Sequence, residues 1–421
     1  MPQLTSSINS IHMSNRTKTT PLTFAEYQTK VKNLKTATDV TDFIKDLIAP
    51  TLQTILEAEM TEHLGYEKYQ GKAKTGNSRN GHSEKLLRTS FGNTPLQIPR
   101  DRNADFNPQI IQKHETIQSD VEEKIIAMYG KGMTTRDINS YLYDIYGIDV
   151  SASMVSSITD LILPKIKEWQ ERSLSPLYPF LYLDGIHFKV RDSGRVITKC
   201  AYLALGINES GRKEILGIWV GEAESATFWM GILDELKSRG VADILIACTD
   251  GLTGFAEAIA AIYPKTTIQQ CIVHQIRNTL KFIPHKDKEK VAKAIRLIYT
   301  ATNEKNGYEA LEEARKQFPE YALALKSWET KWALLSTFFA YPAEIRRIIY
   351  TTNTIEGVNR QFRKVTKTTS VFPHDQSLMK LLFLATHDIT KKWTMPIKNW
   401  GSIVSQLAIV FPEKAEALIN Y

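Results

Sequence analysis

Ile244–Phe255 reads ILIACTDGLTGF. Its first four residues are aliphatic and uncharged, which suits a strand buried on both faces of a parallel sheet. The run stops at Asp250-Gly251, and the Ala-rich amphipathic segment Glu257 to Tyr263 that follows reads as a helix. Asp250 therefore stands at the carboxyl end of a strand, where open α/β sheets form their sites. The plainer role for this Asp is to cap the helix after it.

Two further stretches bear on that choice. Pro179–Val190, PFLYLDGIHFKV, is a second apolar run that breaks at Asp184-Gly185. Tyr350–Lys364, YTTNTIEGVNRQFRK, offers N-cap residues at Thr351, Thr352 and Asn353, and places Ile355, Val358 and Phe362 on one helical face. Glu356 falls in the first turn, at the edge of that face. There it either complements the helix dipole or forms a third carboxylate facing the two Asp residues. Hard cations such as Mg²⁺ take one or two carboxylates plus water and substrate phosphate. Two such ions roughly 4 Å apart can hold the attacking and leaving oxygens of a phosphodiester displacement. The spacing of 106 from Asp250 to Glu356 is too long for one loop, so a helical insertion is expected there.

The chain has 421 residues, with 43% hydrophobic and 24% charged, within the ordinary range for a folded protein of two to four domains. A net charge of +7 suits a polyanionic partner or a merely solvated surface. Cys200, Cys248 and Cys271 form no Cys-x-x-Cys, which fits a reducing compartment without a disulfide framework. No 18-residue apolar run is present, and the start lacks the apolar core of a signal peptide, so a cytoplasmic protein without a membrane span is expected.

Residues 1–22 read as a polar arm, and residues 23–105 as a helical and basic region for DNA binding or dimerisation. Lys72, Lys74, Arg79, Lys85, Arg88 and Arg100 are interleaved there with Gly, Asn, Ser and aromatic residues, a pattern that can follow a phosphate backbone. The alternative is a solvated basic loop with a hairpin over Lys85–Pro99. Residues 106–170 carry three short helical patterns separated by Gly-bearing turns, as in a helix-turn-helix or a generic three-helix bundle. In the former, Ser153, Ser156 and Ser157 would read bases.

From Leu181 the pattern becomes strands: Leu181–Val190, Val196–Leu205 and Glu214–Val220. A helix over Ser225–Ser238 follows, then strands at Ile244–Asp250 and Thr266–Cys271. This is the element order of an α/β ribonuclease-H-like core, split into 175–271 and 346–395 by an all-α insertion at 272–345 and followed by a tail at 396–421. The N-terminal region before it is mainly α.

The segments YLDGIHFKVRDSG, ESATFWMGILDELKSRG, CTDGLTGFAEAI with QQCIVHQIRN, and YTTNTIEGVNRQFRKVTK stand in this order over about residues 45–395. Together they resemble the mutator-type transposases of bacterial insertion sequences. The resemblance implies an acidic triad at Asp184, Asp250 and Glu356 that holds two Mg²⁺ or Mn²⁺ ions. It puts a Cys-x-x-His signature on Cys271 and His274, beside the active site. His274 and Arg277, with Asn359, Arg363, Lys364 and Lys367 on the Glu356 helix, become candidate DNA contacts. It further implies binding to double-stranded DNA at the element's terminal inverted repeats. Strand cleavage and strand transfer would follow, through a copied-out circle, by at least a homodimer associated with the nucleoid. The rivals are a metal-dependent nuclease that cleaves without joining, and a non-catalytic DNA-binding regulator. A glycosidase also pairs carboxylates, but leaves the basic N-terminal half without a purpose.

Overall fold

The computed structural model describes residues 24–69, 76–113, 115–117, 119–222, 225–350 and 353–419. The expected arm at 1–22 lies outside them. Two compact units are present: the chain up to Ile126 with Thr135–Ile158, and Ala127–Thr134 with the chain from Thr159 onward. Among the described residues, no helix is long and apolar enough to cross a membrane, and Cys200, Cys248 and Cys271 are free and buried.

The first unit begins with helices α1 (Phe24–Lys32) and α2 (Ala37–Leu64). A reciprocal capping box starts α2: Thr36 Oγ1 accepts from Asp39 N at 3.1 Å, and Asp39 Oδ2 accepts from Thr36 N at 2.9 Å. Gly65, at φ 73°, ends it. Strands β1 (Arg79–Thr89) and β2 (Gly92–Asp101) form an antiparallel hairpin, longer than expected, against α2. Leu56 of α2 packs with Leu87, Leu96 and Ile111, and Met60 and Leu64 pack with Phe106. Helices α3 (Ser119–Gly130), α4 (Thr135–Tyr146) and α5 (Ala152–Asp160) occupy the three expected helical stretches.

The second unit opens with α6 (Leu163–Glu171), then a five-stranded mixed sheet in the order β5-β4-β3-β6-β7. The strands are β3 (Leu177–Asp192), β4 (Arg195–Ile207), β5 (Lys213–Gly221), β6 (Asp243–Thr249) and β7 (Thr267–Gln270). The first three are antiparallel neighbours, while β6 runs parallel to β3 and β7 parallel to β6. Ser193 and Gly194, at φ 48° and 80°, make the tight β3–β4 turn.

Both sheet faces are buried. Helices α7 (Ala226–Ser238) and α8 (Phe255–Ile262) cover one, packing Trp229, Leu233, Leu236 and Phe255 on Leu181, Leu183 and Ala247. The other face, with Phe180, Tyr182, Ile186 and Cys248, meets the helices after β7. These are α9 (Ile272–Lys281), α10 (His285–Tyr299), α11 (Glu304–Gln317), α12 (Ala322–Thr330), α13 (Trp332–Leu335) and α14 (Ala343–Ile349), then α15 (Asn353–Thr366) and α16 (Asp375–Thr390).

Trp328, Phe338 and Phe339 of the helical segment share one buried cluster with the sheet. Within 396–421, expected as a tail, the described residues form α17 (Trp400–Val410) and α18 (Ala415–Ile419), which bury Ile403, Leu407 and Leu418 in that same cluster. Trp400 Nε1 donates to Glu209 O at 2.9 Å, and its ring lies where a Cβ on Gly211 would sit.

Trp229 is fully buried, stacked on Phe255 at 4.8 Å and edge-on to Tyr202 at 5.0 Å. Trp229→Ala is expected to cost about 3–5 kcal/mol. Urea unfolding followed by circular dichroism measures this, and a loss under about 1 kcal/mol would show that the α7 face is not a packed core.

Candidate active site

Side chains alternate between faces along a strand. Tyr182 and Ile186 lie on the helix-covered face that α15 joins, so Asp184 between them points there too. Cys248 lies on the same face, and by the same alternation so does Asp250, just past the end of β6. The last parallel pair of β3 and β6 is Leu183↔Thr249, so the two Asp residues follow it side by side. Asp184 does not end its strand, in keeping with the expected strand over Leu181–Val190. The β3–β4 hairpin runs on to Asp192↔Arg195, and what stops at Asp184 is the parallel neighbour.

That overhanging hairpin anchors the helices that complete the site. Phe372, between α15 and α16, donates to Lys189 O at 2.9 Å and accepts from Arg191 N at 2.8 Å. Lys199 bonds Asp192 and Asp375, each at 2.8 Å. Helix α15 thereby lies over Asp184. Its expected caps Thr351 and Thr352 fall outside the described residues.

Asp184 is 6% exposed. Its Oδ1 accepts from Gly185 N at 3.0 Å, and its Oδ2 from Asn359 Nδ2 at 2.5 Å. Burial, reinforced by the charges of Asp250 and Glu356, pushes its carboxyl up to about 7 against the pull of the Asn359 bond. Glu356 Oε2 accepts from Arg277 of α9 at 2.9 Å. Asp250 Oδ1 accepts from Leu252 N at 3.2 Å. It does not cap α8, whose N-cap is Gly254 at φ 80° with no side-chain bond. The ends of Gln270 and Lys331 close on Gly251 beside it, where a Cβ would lie 2.1 Å from Gln270 Nε2 and 2.8 Å from Lys331 Nζ. Lys331 donates to Gly251 O at 3.2 Å.

Cys271 caps α9, accepting from His274 N at 3.3 Å. The Cys271 side chain holds the His274 imidazole above its usual pKa; burial opposes this and the charge of Asp250 adds to it. His274 Nδ1 and Asn359 Oδ1 are buried without a hydrogen-bond partner. Oxygen donors, two orphaned polar atoms and an under-compensated negative charge match what a hard divalent cation offers. As arranged, no three His, Cys, Asp or Glu side chains among the described residues converge enough to hold one, and Glu356 is taken by Arg277. The residues thus fit a divalent ion in donor type and charge, with one oxygen of Glu356 engaged by Arg277.

Other candidate DNA residues have different surroundings. Asn359, expected on DNA, is 4% exposed and donates to Asp184, so here it is a partner of the carboxylate. Arg79 is spent inside the first unit on Thr61 Oγ1 and Tyr66 O, at 2.8 and 3.2 Å. Lys85 and Arg88 each donate to a main-chain carbonyl at 2.7 Å. Ser153 and Ser157 are exposed on α5 and Ser156 is half-buried, while Arg100, Arg363, Lys364 and Lys367 are exposed. Lys72 and Lys74 lie outside the described residues. Sequence reasoning overlooked Lys331 and Gln270, which are far from the carboxylates in sequence. Nor did it see Asn359 as a carboxylate partner, although its place one helical turn after Glu356 was a usable signal.

Residues 19–396 match the family described as "Transposase, Mutator family". A probable transposase for an ISRM3-like insertion sequence element of Sinorhizobium fredii is 42% identical over 373 residues, 88% of this chain and 93% of that one. The transposase for insertion sequence element ISRM3 of Rhizobium meliloti is 41% identical over the same shares. The solved Drosophila P element transposase strand transfer complex covers 67% of this chain and 81% of its own at 12% identity, and its TM-score of 0.28 is too low to bear on the fold. Matched along most of its length by a family and by relatives above 30% identity, the chain belongs to the Mutator family of transposases.

Proposed function

We propose that the protein is a DDE transposase with a ribonuclease-H-like core, in which Asp184, Asp250 and Glu356 are the catalytic carboxylates. The observation that carries this reading is geometric: the parallel pairing that ends at Leu183↔Thr249 sets Asp184 and Asp250 side by side, and Asn359, one turn after Glu356 on α15, bonds Asp184, with the raised Asp184 carboxyl in keeping with three clustered acids. Three antiparallel strands followed by two parallel ones, in the order β5-β4-β3-β6-β7, support the core. The short helices α3, α4 and α5 support a helix-turn-helix that reads the element's terminal inverted repeats.

In this reading Asp184 and Asp250 present their oxygens to a pair of divalent cations, Mg²⁺ or Mn²⁺, and Glu356 completes one site on leaving Arg277. When bound, the cations supply Lewis acidity and neutralise charge at the reacting phosphate. Asn359 fixes the Asp184 carboxylate so that its free lone pairs face the substrate. Arg277, once released, is placed to meet a phosphate oxygen. In the first step water attacks phosphorus, one P–O bond forms, and the bond to a 3′-oxygen breaks to leave a 3′-hydroxyl. In the second, that hydroxyl attacks another phosphodiester, again exchanging one P–O bond for another, so no ATP is required. A circular copied-out intermediate, a homodimer joining two ends, and action on DNA in the bacterial cytoplasm complete the proposal.

Purified protein given a duplex of its element's end, Mg²⁺ and a plasmid target is expected to join the two. Asp184→Asn, Asp250→Asn and Glu356→Gln should each lower joining by about 10³-fold or more, as for loss of a principal electrostatic group. Equal joining by parent and variants would refute the triad. Cleavage without joining would point to a nuclease, and binding alone to a regulator.

The pH dependence has a definite sign. A carboxyl whose folded pKa is raised to about 7 contributes stability at low pH and loses it as pH rises toward 7. Without divalent ions, Asp184→Asn is therefore expected to be more stable than the parent at pH 8, by on the order of 3 kcal/mol, with the gap closing by pH 4. Thermal melts at both values test this. Added Mg²⁺ should raise the melting temperature of the parent and not of the variant, and equal shifts would count against Asp184 as a ligand.

A further inference from the structure

Helix α15 has a second functional side. At about 100° per residue, Glu356, Asn359 and Arg363 share one stripe, while Thr354, Gly357, Gln361 and Lys364 share the opposite one. The second stripe forms a wall of an open cleft of about 480 Å³ within the second unit. Lys131, Lys213, Lys364 and Lys392 line it, together with Gln361 and the indole of Trp393. Its one acidic lining residue is Asp388, which pairs with Lys131. Lys213, Lys364 and Lys392 have no carboxylate partner among the described residues. Burial lowers the pKa of Lys213, so its charge is held there at a cost that an anion would offset. Between cleft and carboxylates, the outer face of α15 carries exposed Arg360, Arg363, Lys364 and Lys367. Cationic groups thus run without interruption from the Glu356 stripe, over the helix, into the cleft.

We propose that this cleft holds the phosphate backbone of a DNA strand that crosses α15 on its way to or from the carboxylates, with Lys213, Lys364 and Lys392 on successive phosphates. Three lysines without a carboxylate partner in one open cleft carry more charge than a single small anion would neutralise, which favours a strand with several phosphates. Trp393 adds a flat apolar surface on which a sugar or an unstacked base can rest. The proposal rests on the transposase reading above, since it takes the strand in the cleft to be the one reacting at Asp184, Asp250 and Glu356.

Fluorescence anisotropy of the full chain on a labelled 30-base-pair duplex of the element's end, between 50 and 300 mM salt, tests it. Lys213→Gln with Lys392→Gln is expected to weaken binding at least tenfold at 150 mM and to flatten the slope of log affinity against log salt by about two, near one per lost phosphate contact. The exposed control pair Lys265→Gln with Lys290→Gln carries the same charge change and should leave both within about twofold. Lys392→Gln alone, at an exposed position, should flatten the slope by about one and guards against misfolding of the half-buried Lys213 change. Binding by both cleft variants indistinguishable from the control would overturn the cleft while leaving the carboxylate reading intact. No binding by the parent would overturn both. At matched ionic strength, phosphate should displace the duplex no better than chloride; stronger displacement would make the cleft a pocket for free phosphate and refute the strand assignment.

Discussion

The parallel pairing of β3 with β6 is the constraint on which the site depends. It ends at Leu183↔Thr249, and the next residue on each strand is an Asp. Because both strands have their preceding same-face residues, Tyr182 and Cys248, in one core, both carboxylates emerge on one side of the sheet. A slip of one residue in this register would send one Asp to the opposite face. Burial on both faces makes such a slip expensive, and so the Trp229 and Phe255 packing on the far side contributes to the geometry of the carboxylates.

Charge explains the remaining arrangement. Two acidic groups side by side at the edge of a core, with a third nearby, repel one another and are poorly hydrated. The protein meets this in three ways: a raised Asp184 carboxyl, an Asn359 donor and the Arg277 partner of Glu356. Each is an interaction that a divalent cation with a phosphate can replace. The balancing groups are drawn from α9 and α15.

The helical segment between β7 and α15 has a different role from a separate module. Its Trp328, Phe338 and Phe339 share the core with Phe180 and Tyr182, while Lys331 reaches back to Gly251. Tyr182 donates through its hydroxyl to Ile348 O at 3.0 Å, and Cys248 through its thiol to Ile349 O at 3.6 Å. Helix α14 is thereby tied to the two Asp-bearing strands just before α15 begins, and this sets where Glu356 enters.

Much of this was legible in the residues themselves. The apolar runs before Asp184 and Asp250, the Ser193-Gly194 turn and the amphipathic α7 are local signals, because each follows from the period and chemistry of neighbouring residues. The family is likewise a property of motif order. Four points were decided by tertiary structure alone. That the parallel pairing stops just before Asp184 while its own strand runs on is a fact about pairing and not about the strand. Asn359 and Arg277 serve carboxylates 175 and 79 residues away; the place of Asn359 one turn after Glu356 hints at the site, but no local pattern names Asp184 or Glu356 as the partner. Arg79 and Lys85 look like free cations in the chain, yet they satisfy carbonyls that folding brings to them. The last helices read as a tail because their apolar faces have no partner nearby in sequence, and the core that buries them is assembled from strands some 200 residues earlier.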